Sequence, residues 1–257
     1  MNADPSDELI FSTALDILTG GPMSMVALSV RIRSSGVLTH LGEIDDEQLA
    51  LELDEILLGS DDFWTTDDGT VASTAALLNG VNFSHRLSRV EREHEVIDAT
   101  PDLVVLDFDV DFGESLSLAK GGDLQFRFEE NPTLNEHGYF VGPSGWLEGF
   151  KENETLVVSR SNNVVSLHVG AEFGHGDAEV EALRKAFDHH HVEGILVEPT
   201  EILLDALCQN PSLFRAPVPP VSELLERAGL ECRGAWIGRQ GELAKPPGVV
   251  YHERKVK

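Results

Sequence analysis

The sequence has few cysteines and no long apolar run, and both absences narrow the class of protein. Its 257 residues include only two cysteines, Cys208 and Cys232, which are too few for a disulfide framework or a four-thiolate zinc site. No apolar segment approaches the roughly 18 residues that cross a bilayer, and the N-terminus lacks the pattern of an export signal. We therefore expect a cytoplasmic protein that does not associate with membranes and carries its cysteines in the core.

Basic residues are scarce over most of the chain. Of the 45 acidic and 19 basic side chains, residues 1–180 hold 34 acidic and 9 basic ones, whereas residues 181–257 are nearly neutral. Such a surface repels phosphate backbones and attracts basic proteins or cations. The charge favours another protein, particularly a basic one, as the partner. An acidic coat that serves only solubility is the plainer alternative.

Recognisable catalytic motifs are also missing. The sequence contains no phosphate-binding glycine loop, no nucleophile elbow, no paired-cysteine zinc motif and no zincin pattern. We therefore favour a non-enzymatic protein and predict no cofactor. An enzyme whose site is assembled from distant residues stays open as an alternative.

Three helices and a β-hairpin are predicted for the first 72 residues. Capping residues and apolar periodicity define each helix. Asp68-Gly69, between FWTTD and TVA, is a strong hairpin turn signal. The predicted helix starts are Asp4-Pro5, Ser24 and Asp45, and the corresponding stops are Gly20, Ser35 and Gly59.

This order of elements resembles the winged-helix superfamily, and within it the HARE-type helix-turn-helix branch of bacterial transcription and chromatin proteins. The resemblance rests on DELIFSTALDILTGGPMSMVALSVRIRSSG and DDFWTTDDGTV and covers roughly residues 5–72. It implies that the third helix enters a DNA major groove while the wing lies on the backbone.

The charge of the third helix and wing conflicts with that implied activity. Residues 41–69 carry eleven acidic side chains and no Lys or Arg. The acidic surface would repel a polyanion. It has no basic side chains to neutralise phosphates, so binding would release no counterions from the duplex to offset that repulsion. Only Arg31 and Arg33, on the second helix, offer positive charge nearby. We therefore expect this module to bind protein more readily than DNA, with a purely structural role as the alternative.

A second basic cluster is predicted in the connector over residues 73–102. Ser88 and Glu91 form a capping-box pair that begins a short helix. Arg86, Arg89 and Arg92 lie on and beside this helix and are candidates for binding a macromolecule. Pairing with neighbouring glutamates is the plainer interpretation.

Strands are predicted over residues 103–172, as a small antiparallel β-barrel or sandwich. In VVLDFDVDF the alternation places Asp107, Asp109 and Asp111 on one strand face, where they could share a divalent metal. The calcium-loop pattern fails, because Phe112 and Leu118 stand where glycine and glutamate are required. A solvent-facing strand is the plainer interpretation.

Residues 173–257 are predicted to form a mixed α/β segment with a histidine run. His189 and His191, at the end of a predicted helix, are further candidates for metal ligands. No known zinc spacing is present, and histidines at a helix C-terminus are also favoured by the helix dipole.

The sequence as a whole predicts an α+β protein with an N-terminal winged helix (1–72), a connector (73–102), a β-rich domain (103–172) and a C-terminal α/β segment (173–257). The favoured function is that of a non-enzymatic regulatory or adaptor protein that binds another macromolecule. A metal-dependent hydrolase or nuclease and an acidic mimic of nucleic acid are the alternatives.

Overall fold

The structure is a computed structural model, and the residues that it describes form an α+β fold. These residues are 5–37, 46–57, 60–99, 101–106, 108–110, 114–131, 134–170, 172–191, 197–233 and 236–241.

Eight helices and twelve strands lie within the described residues. The helices are α1 Pro5–Leu18, α2 Met25–Ser34, α3 Asp46–Leu57, α4 Thr74–Leu78, α5 Arg89–His94, α6 Asp177–His190, α7 Pro199–Gln209 and α8 Val221–Arg227. The strands are β1 Met23–Ser24, β2 Phe63–Thr65, β3 Thr70–Ser73, β4 Asn82–Arg86, β5 Val96–Asp98, β6 Leu116–Leu118, β7 Asp123–Asn131, β8 Leu134–Val141, β9 Thr155–Ser161, β10 Val164–Val169, β11 Leu230–Arg233 and β12 Trp236–Arg239. None of the described helices is long and apolar enough to cross a bilayer.

The first three helices and the first three strands form a small unit, which we call the head (residues 5–73). Its sheet has the order β1-β3-β2, and the predicted hairpin turns at Gly69, whose φ of 77° suits glycine. The predicted cap at Ser24 is confirmed, because its hydroxyl accepts a hydrogen bond from the Ala27 amide. The predicted boundaries at Asp4, Asp45 and Gly59 lie outside the described residues.

The remaining strands form mainly one seven-stranded sheet of order β4-β9-β10-β6-β7-β8-β5. β10 pairs in parallel with β6, and the other neighbours are antiparallel. The predicted antiparallel barrel or sandwich is therefore corrected to a mixed sheet, and the described strands show no closed barrel. β4 and β5 come from the predicted connector, which supplies both outer strands of this sheet.

The predicted strand at 103–112 is also wrong over its described residues. Residues 101–106 and 108–110 form turns and a bend, in which the Leu103 amide bonds to the Ala99 carbonyl and the Leu106 amide to the Leu103 carbonyl. Leu103, Val105 and Leu106 are all buried in one core, which a strand with a single buried face would not allow. The local hydrogen bonds and the burial of all three side chains show that this segment forms turns, although its apolar residues alternate as in a strand.

Two hydrophobic cores organise the described residues. The smaller core lies within the head and includes Leu28 and Leu53, both fully buried. The larger core runs from Trp64 to Ile237 and includes residues of the large sheet and of α6, α7 and α8. Helix α7 is buried around almost its whole circumference, from Pro199 through Cys208.

Neither cysteine is joined in a disulfide, and the chemistry of both is that of core residues. Cys208 is buried on α7 and Cys232 is half-buried on β11. Burial raises the pKa of each thiol to about 12. Neither side chain is therefore a thiolate at neutral pH, as a nucleophile or metal ligand would need to be.

A buried ion pair joins the turns at 101–110 to strand β9. The guanidinium of Arg160 is 1% exposed and binds both carboxylate oxygens of Asp109, with Nη1 to Oδ1 at 2.6 Å and Nη2 to Oδ2 at 2.8 Å. Further donations go to the carbonyls of Leu106 and Asn162 and to the side-chain oxygen of Asn163. Asp109 is thus the counterion of a buried arginine.

Replacing Asp109 by alanine should destabilise the protein strongly, since the Arg160 charge would be buried without a partner. We expect the free energy of unfolding to fall by about 3–5 kcal/mol in denaturant titration. The exposed pair of Arg184 and Glu181 provides a control, because Glu181→Ala should cost less than about 1 kcal/mol. A loss below 1 kcal/mol for Asp109→Ala would contradict the assignment.

Candidate functional site

The hairpin of β2 and β3 is buried on both of its faces. Phe63 and Val71 pack into the core of the head, while Trp64 and Ala72 belong to the larger core. The outer face contacts helix α7, which runs across both strands. In the sequence, the adjacent pairs Phe63-Trp64 and Val71-Ala72 are the signal for such two-sided burial, because alternate residues face opposite sides of a strand.

Asp205 of α7 anchors the hairpin to the rest of the chain. Its carboxylate is 2% exposed, and Oδ1 accepts a hydrogen bond of 2.8 Å from the Trp64 indole. The other oxygen lies 3.0 Å from Nε2 of His190, at the end of α6. That approach lacks hydrogen-bond geometry, so the contact between the two groups is electrostatic. Asp205 raises the pKa of His190 above its ordinary value.

The tip of the hairpin lies near the histidine run. The hydroxyl of Thr66 and the amide of Thr70 donate to the Asp68 carboxylate, and these bonds lower its pKa, with a smaller contribution from the charge of His189. Asp67 likewise helps to raise the pKa of His190. The two aspartates at the tip therefore sit in the electrostatic field of the end of α6.

The histidines do not converge on a metal site in the described part of the chain. His189 is exposed, His190 faces Asp205, and His191 stacks on Phe187 with ring centroids 4.7 Å apart. Among the described residues no three His, Cys, Asp or Glu side chains are placed to hold a metal. Asp107 and Asp111 lie outside the described residues, while both oxygens of Asp109 are held by Arg160.

The five basic candidates are spread over two separate regions. Arg31 and Arg33 lie exposed on α2. On α5 and the strand before it, Arg86 pairs with Glu223 at 3.1 Å and Arg89 with Glu93 at 2.7 Å. Arg92 lines a cleft beside the loop at residues 144–150. The predicted pairing with neighbouring glutamates is thus confirmed for Arg89, while Arg86 binds a distant glutamate.

A buried histidine between two carboxylates, which sequence reasoning did not find, lies at the end of β4. Nε2 of His85 is 2.7 Å from Glu91, and Nδ1 is 3.1 Å from Asp102. Glu91 also accepts from the amides of Ser88 and Asp98, and Asp102 accepts from the amide of Ser222. The arrangement is closed by its own hydrogen bonds and joins β4, α5, β5 and α8.

Electrostatics keep His85 and Glu91 charged. Burial alone would lower the pKa of His85, but its hydrogen bonds to Asp102 and Glu91 outweigh burial and raise the pKa to about 9. For Glu91, burial acts to raise the pKa, whereas the bonds from His85 and the two amides lower it to about 2. Such a stable imidazolium makes a poor general base near neutral pH, so the trio is better suited to holding elements together than to proton transfer.

The described surface of the head is acidic on α3 and at the hairpin tip, is partly apolar, and carries the cations Arg31 and Arg33 on α2. On α3, Leu51 is 70% exposed and Glu55 is exposed; on α2, Val26 and Val30 are 47% and 44% exposed. The hairpin tip adds exposed Asp67 and Asp68. We define the head surface by these residues. It can offer an apolar contact or a carboxylate to a partner, and α3 and the tip offer no cation.

Comparison of the chain with protein-family models, with curated proteins and with solved structures finds no match.

Stability should depend on pH through His85. Because its pKa rises from 6.5 to about 9 on folding, its contribution is complete below pH 6.5 and is lost as the pH rises through 9. For His85→Gln, we expect a loss of unfolding free energy on the order of 3 kcal/mol below pH 6.5 that shrinks towards pH 9.

The matched control is His175→Gln, at an exposed histidine, which should change little across this range. Glu91 makes the stability depend on pH at the acidic end of the range. Its contribution to the free energy of unfolding is present above pH 4.5 and is lost as the pH falls towards 2. A His85 ring that titrates near pH 6.5 by NMR would contradict both expectations.

The contact between Trp64 and Asp205 should hold the head to the larger core. Trp64→Phe keeps an aromatic ring but leaves Asp205 Oδ1 without its donor, so we expect a loss of about 1–3 kcal/mol in denaturant titration. A double-mutant cycle with Asp205→Leu, which removes the acceptor at similar volume, isolates the pair. Additive effects of the two substitutions would show that the bond contributes nothing.

Proposed function

We propose that this chain is a non-enzymatic regulatory or adaptor protein whose winged-helix head binds another protein. Three helices followed by a hairpin, with a strand order of β1-β3-β2, support assigning residues 5–72 to a winged helix. Fold alone does not define a partner, so the choice between protein and DNA is made on the surface of the head.

The observation that carries this proposal is the position of the wing. A winged helix that reads DNA lays its third helix in the major groove and its wing on the backbone. Here the wing strands are buried between the core of the head and α7, with Trp64 8% exposed. Only the tip remains outside, and it carries Asp67 and Asp68. A wing held this way has neither the freedom nor the charge to lie on a phosphate backbone.

The exposed apolar residues favour a protein partner. Val26 and Val30 are one helical turn apart on α2, so they share a face, and Leu51 is the most exposed large apolar side chain of the molecule as described. Apolar side chains of this kind at the surface, bordered by carboxylates, suit a protein partner with apolar and basic groups. The −26 net charge would speed the encounter with such a partner.

The large sheet with its helices serves in this proposal as the frame that positions the head and offers further binding surface. No part of the proposed role needs a cofactor. The two reduced thiols are in keeping with a cytoplasmic location, which belongs to the same proposal.

The DNA-binding alternative is tested directly with the full chain. We expect a labelled random duplex of about 20 base pairs to bind more weakly than 0.1 mM at physiological salt, the weak limit for non-specific binding. Fluorescence anisotropy measures this. Tight binding whose affinity falls steeply with added salt would reject the proposal in favour of a DNA-reading head.

A second measurement tests protein binding through the head surface. Affinity capture from the source cells is compared between the wild type and the variant Val30→Ser with Leu51→Ser. Val90→Ser is the matched control, because Val90 is 64% exposed on α5, outside the head. We expect proteins that the wild type and the control capture to be lost with the head variant. Equal capture by all three chains would exclude the head surface as the docking site.

A further inference from the structure

Strand β10 has an open edge over its second half. It pairs with β9 along its whole length, from Val164 opposite Ser161 to Val169 opposite Leu156. On its other side it pairs with β6 only at Val164 and Val165. Within the described residues, the part of β10 after Val165 therefore has a neighbour on one side alone.

The hydrogen-bond pattern identifies which groups point towards this open edge. The Gly170 amide donates to the carbonyl of Thr155 on the β9 side, while the Val165 carbonyl accepts from Ala119 on the β6 side. Since successive residues of a strand direct their peptide groups to opposite sides, Leu167 and Val169 direct theirs to the open edge. Neither has a strand partner there among the described residues.

A cleft of about 410 Å³ opens beside the same edge. One wall is β10 at Val165 to Leu167, and another is the turn at 119–121 between β6 and β7. Trp146 and Phe150, from the loop that follows β8, provide aromatic surface. A cleft of this size and lining suits one or two large apolar side chains.

The lining of the cleft is less acidic than the molecule as a whole, because Lys120 and Glu148 are its only charged residues among those described. The Lys120 ammonium lies over the Phe150 ring, 5.3 Å from its centroid, and has no carboxylate within 4.0 Å in the described structure. Arg92 and Glu95 line a smaller adjoining cleft, which shares Ser144, Gly145, Glu148 and Phe150 with the first. In a chain with 45 acidic and 19 basic residues, Lys120 at the mouth of the main cleft favours a ligand that carries a carboxylate.

We infer that the edge of β10 and the adjacent cleft bind an extended segment of another protein as an added β-strand. The backbone of the segment bonds to Leu167 and Val169, its alternate apolar side chains fill the cleft at Trp146 and Phe150, and a carboxylate faces Lys120. An open edge of this kind is a template for strand addition, in which the main chain gives affinity and the pockets give specificity. This site is remote in sequence from the head surface and does not depend on the function proposed for the head.

The probe is the synthetic peptide Ac-ETVTFTVTE-NH2, in which apolar side chains and the terminal carboxylates share one face of a strand. Its affinity for the full chain is measured by calorimetry, next to Ac-KTVTFTVTK-NH2. We expect the acidic peptide to bind at least about threefold more tightly, as a local ion pair of up to 1 kcal/mol would give. The net negative charge of the whole molecule would by itself favour the basic peptide over the acidic one. Tighter binding of the basic peptide therefore overturns the inference.

Backbone N-methylation tests strand addition itself. One derivative is methylated at the apolar residues and another at the threonines, so each removes the amide donors along one edge of the peptide. Binding should fall at least about tenfold for one derivative, since each lost bond is worth about 1 kcal/mol, and should stay within about twofold for the other. Equal behaviour of the two derivatives would mean that the peptide does not bind as a strand.

The matching variant in the protein is Val169→Pro. Its amide points away from β9, where proline is tolerated in a strand, and the control Val169→Thr keeps the amide. We expect the proline variant to weaken the acidic peptide about tenfold and the threonine variant to leave its affinity within about twofold. Unchanged binding to a proline variant of native circular dichroism would overturn the inference.

Two other occupants would also overturn the inference. A second copy of the chain on this edge would give a concentration-dependent dimer, detectable by sedimentation, that the acidic peptide dissociates. The segment 242–257 of the chain itself would give peptide binding only after that segment is removed. A monomer that binds the peptide with the full chain intact supports the inference.

Discussion

Two-sided burial of the β2-β3 hairpin is the constraint on which the rest of the structure depends. Phe63 and Val71 complete the core of the head, and Trp64 and Ala72 join the larger core under α7. The hydrogen bond from Trp64 to buried Asp205 fixes that contact in one geometry. The head is consequently a packed part of the molecule, and its hairpin connects it to the larger core.

Buried charge is used in the same way elsewhere in the molecule. Arg160 with Asp109 joins segments 51 residues apart, and His85 with Glu91 and Asp102 joins β4 to α5 and to the turns after β5. Such groups stabilise only when every charge has its partners, so they specify one arrangement of the segments more than they add to its free energy. Among the described residues, acidic side chains therefore have two roles: a few hold the interior together, and others are exposed, as Asp67 and Asp68 are at the hairpin tip.

The sequence predicted the local structure of the head better than the packing around it. The Ser24 cap, the capping box of Ser88 and Glu91 and the turn at Gly69 depend on neighbouring residues, and each was found as expected. The alternation at 103–112 led to a wrong prediction of a strand, because the same pattern occurs in turns whose apolar side chains all enter one core. Periodicity is a local signal, and the parallel pairing of β10 with β6 is set by distant contacts.

For the site residues too, the local structure was predictable from the sequence and the contacts between distant segments were not. Nothing in the sequence around Arg160 or His85 distinguishes a buried charge from an exposed one, since the partners Asp109 and Asp102 are contributed by another segment. Two signals were available: the adjacent apolar pairs of the hairpin and the continuous apolar run of α7 both indicate elements buried on all sides. The basic cluster was located correctly on α5, but its pairing partners and the cleft beside Arg92 depend on the fold.

The near-complete burial of α7 has a consequence for biosynthesis. Helix α7 begins at Pro199, so the ribosome has released the whole head long before the surface that covers Trp64 exists. Until then the nascent chain displays an uncovered aromatic strand, the kind of segment that chaperones bind and that aggregates when translation stalls. Fragments that end before this helix should inherit the same exposed strand, so the useful boundary for producing the head lies beyond residue 209 and not at the end of the hairpin.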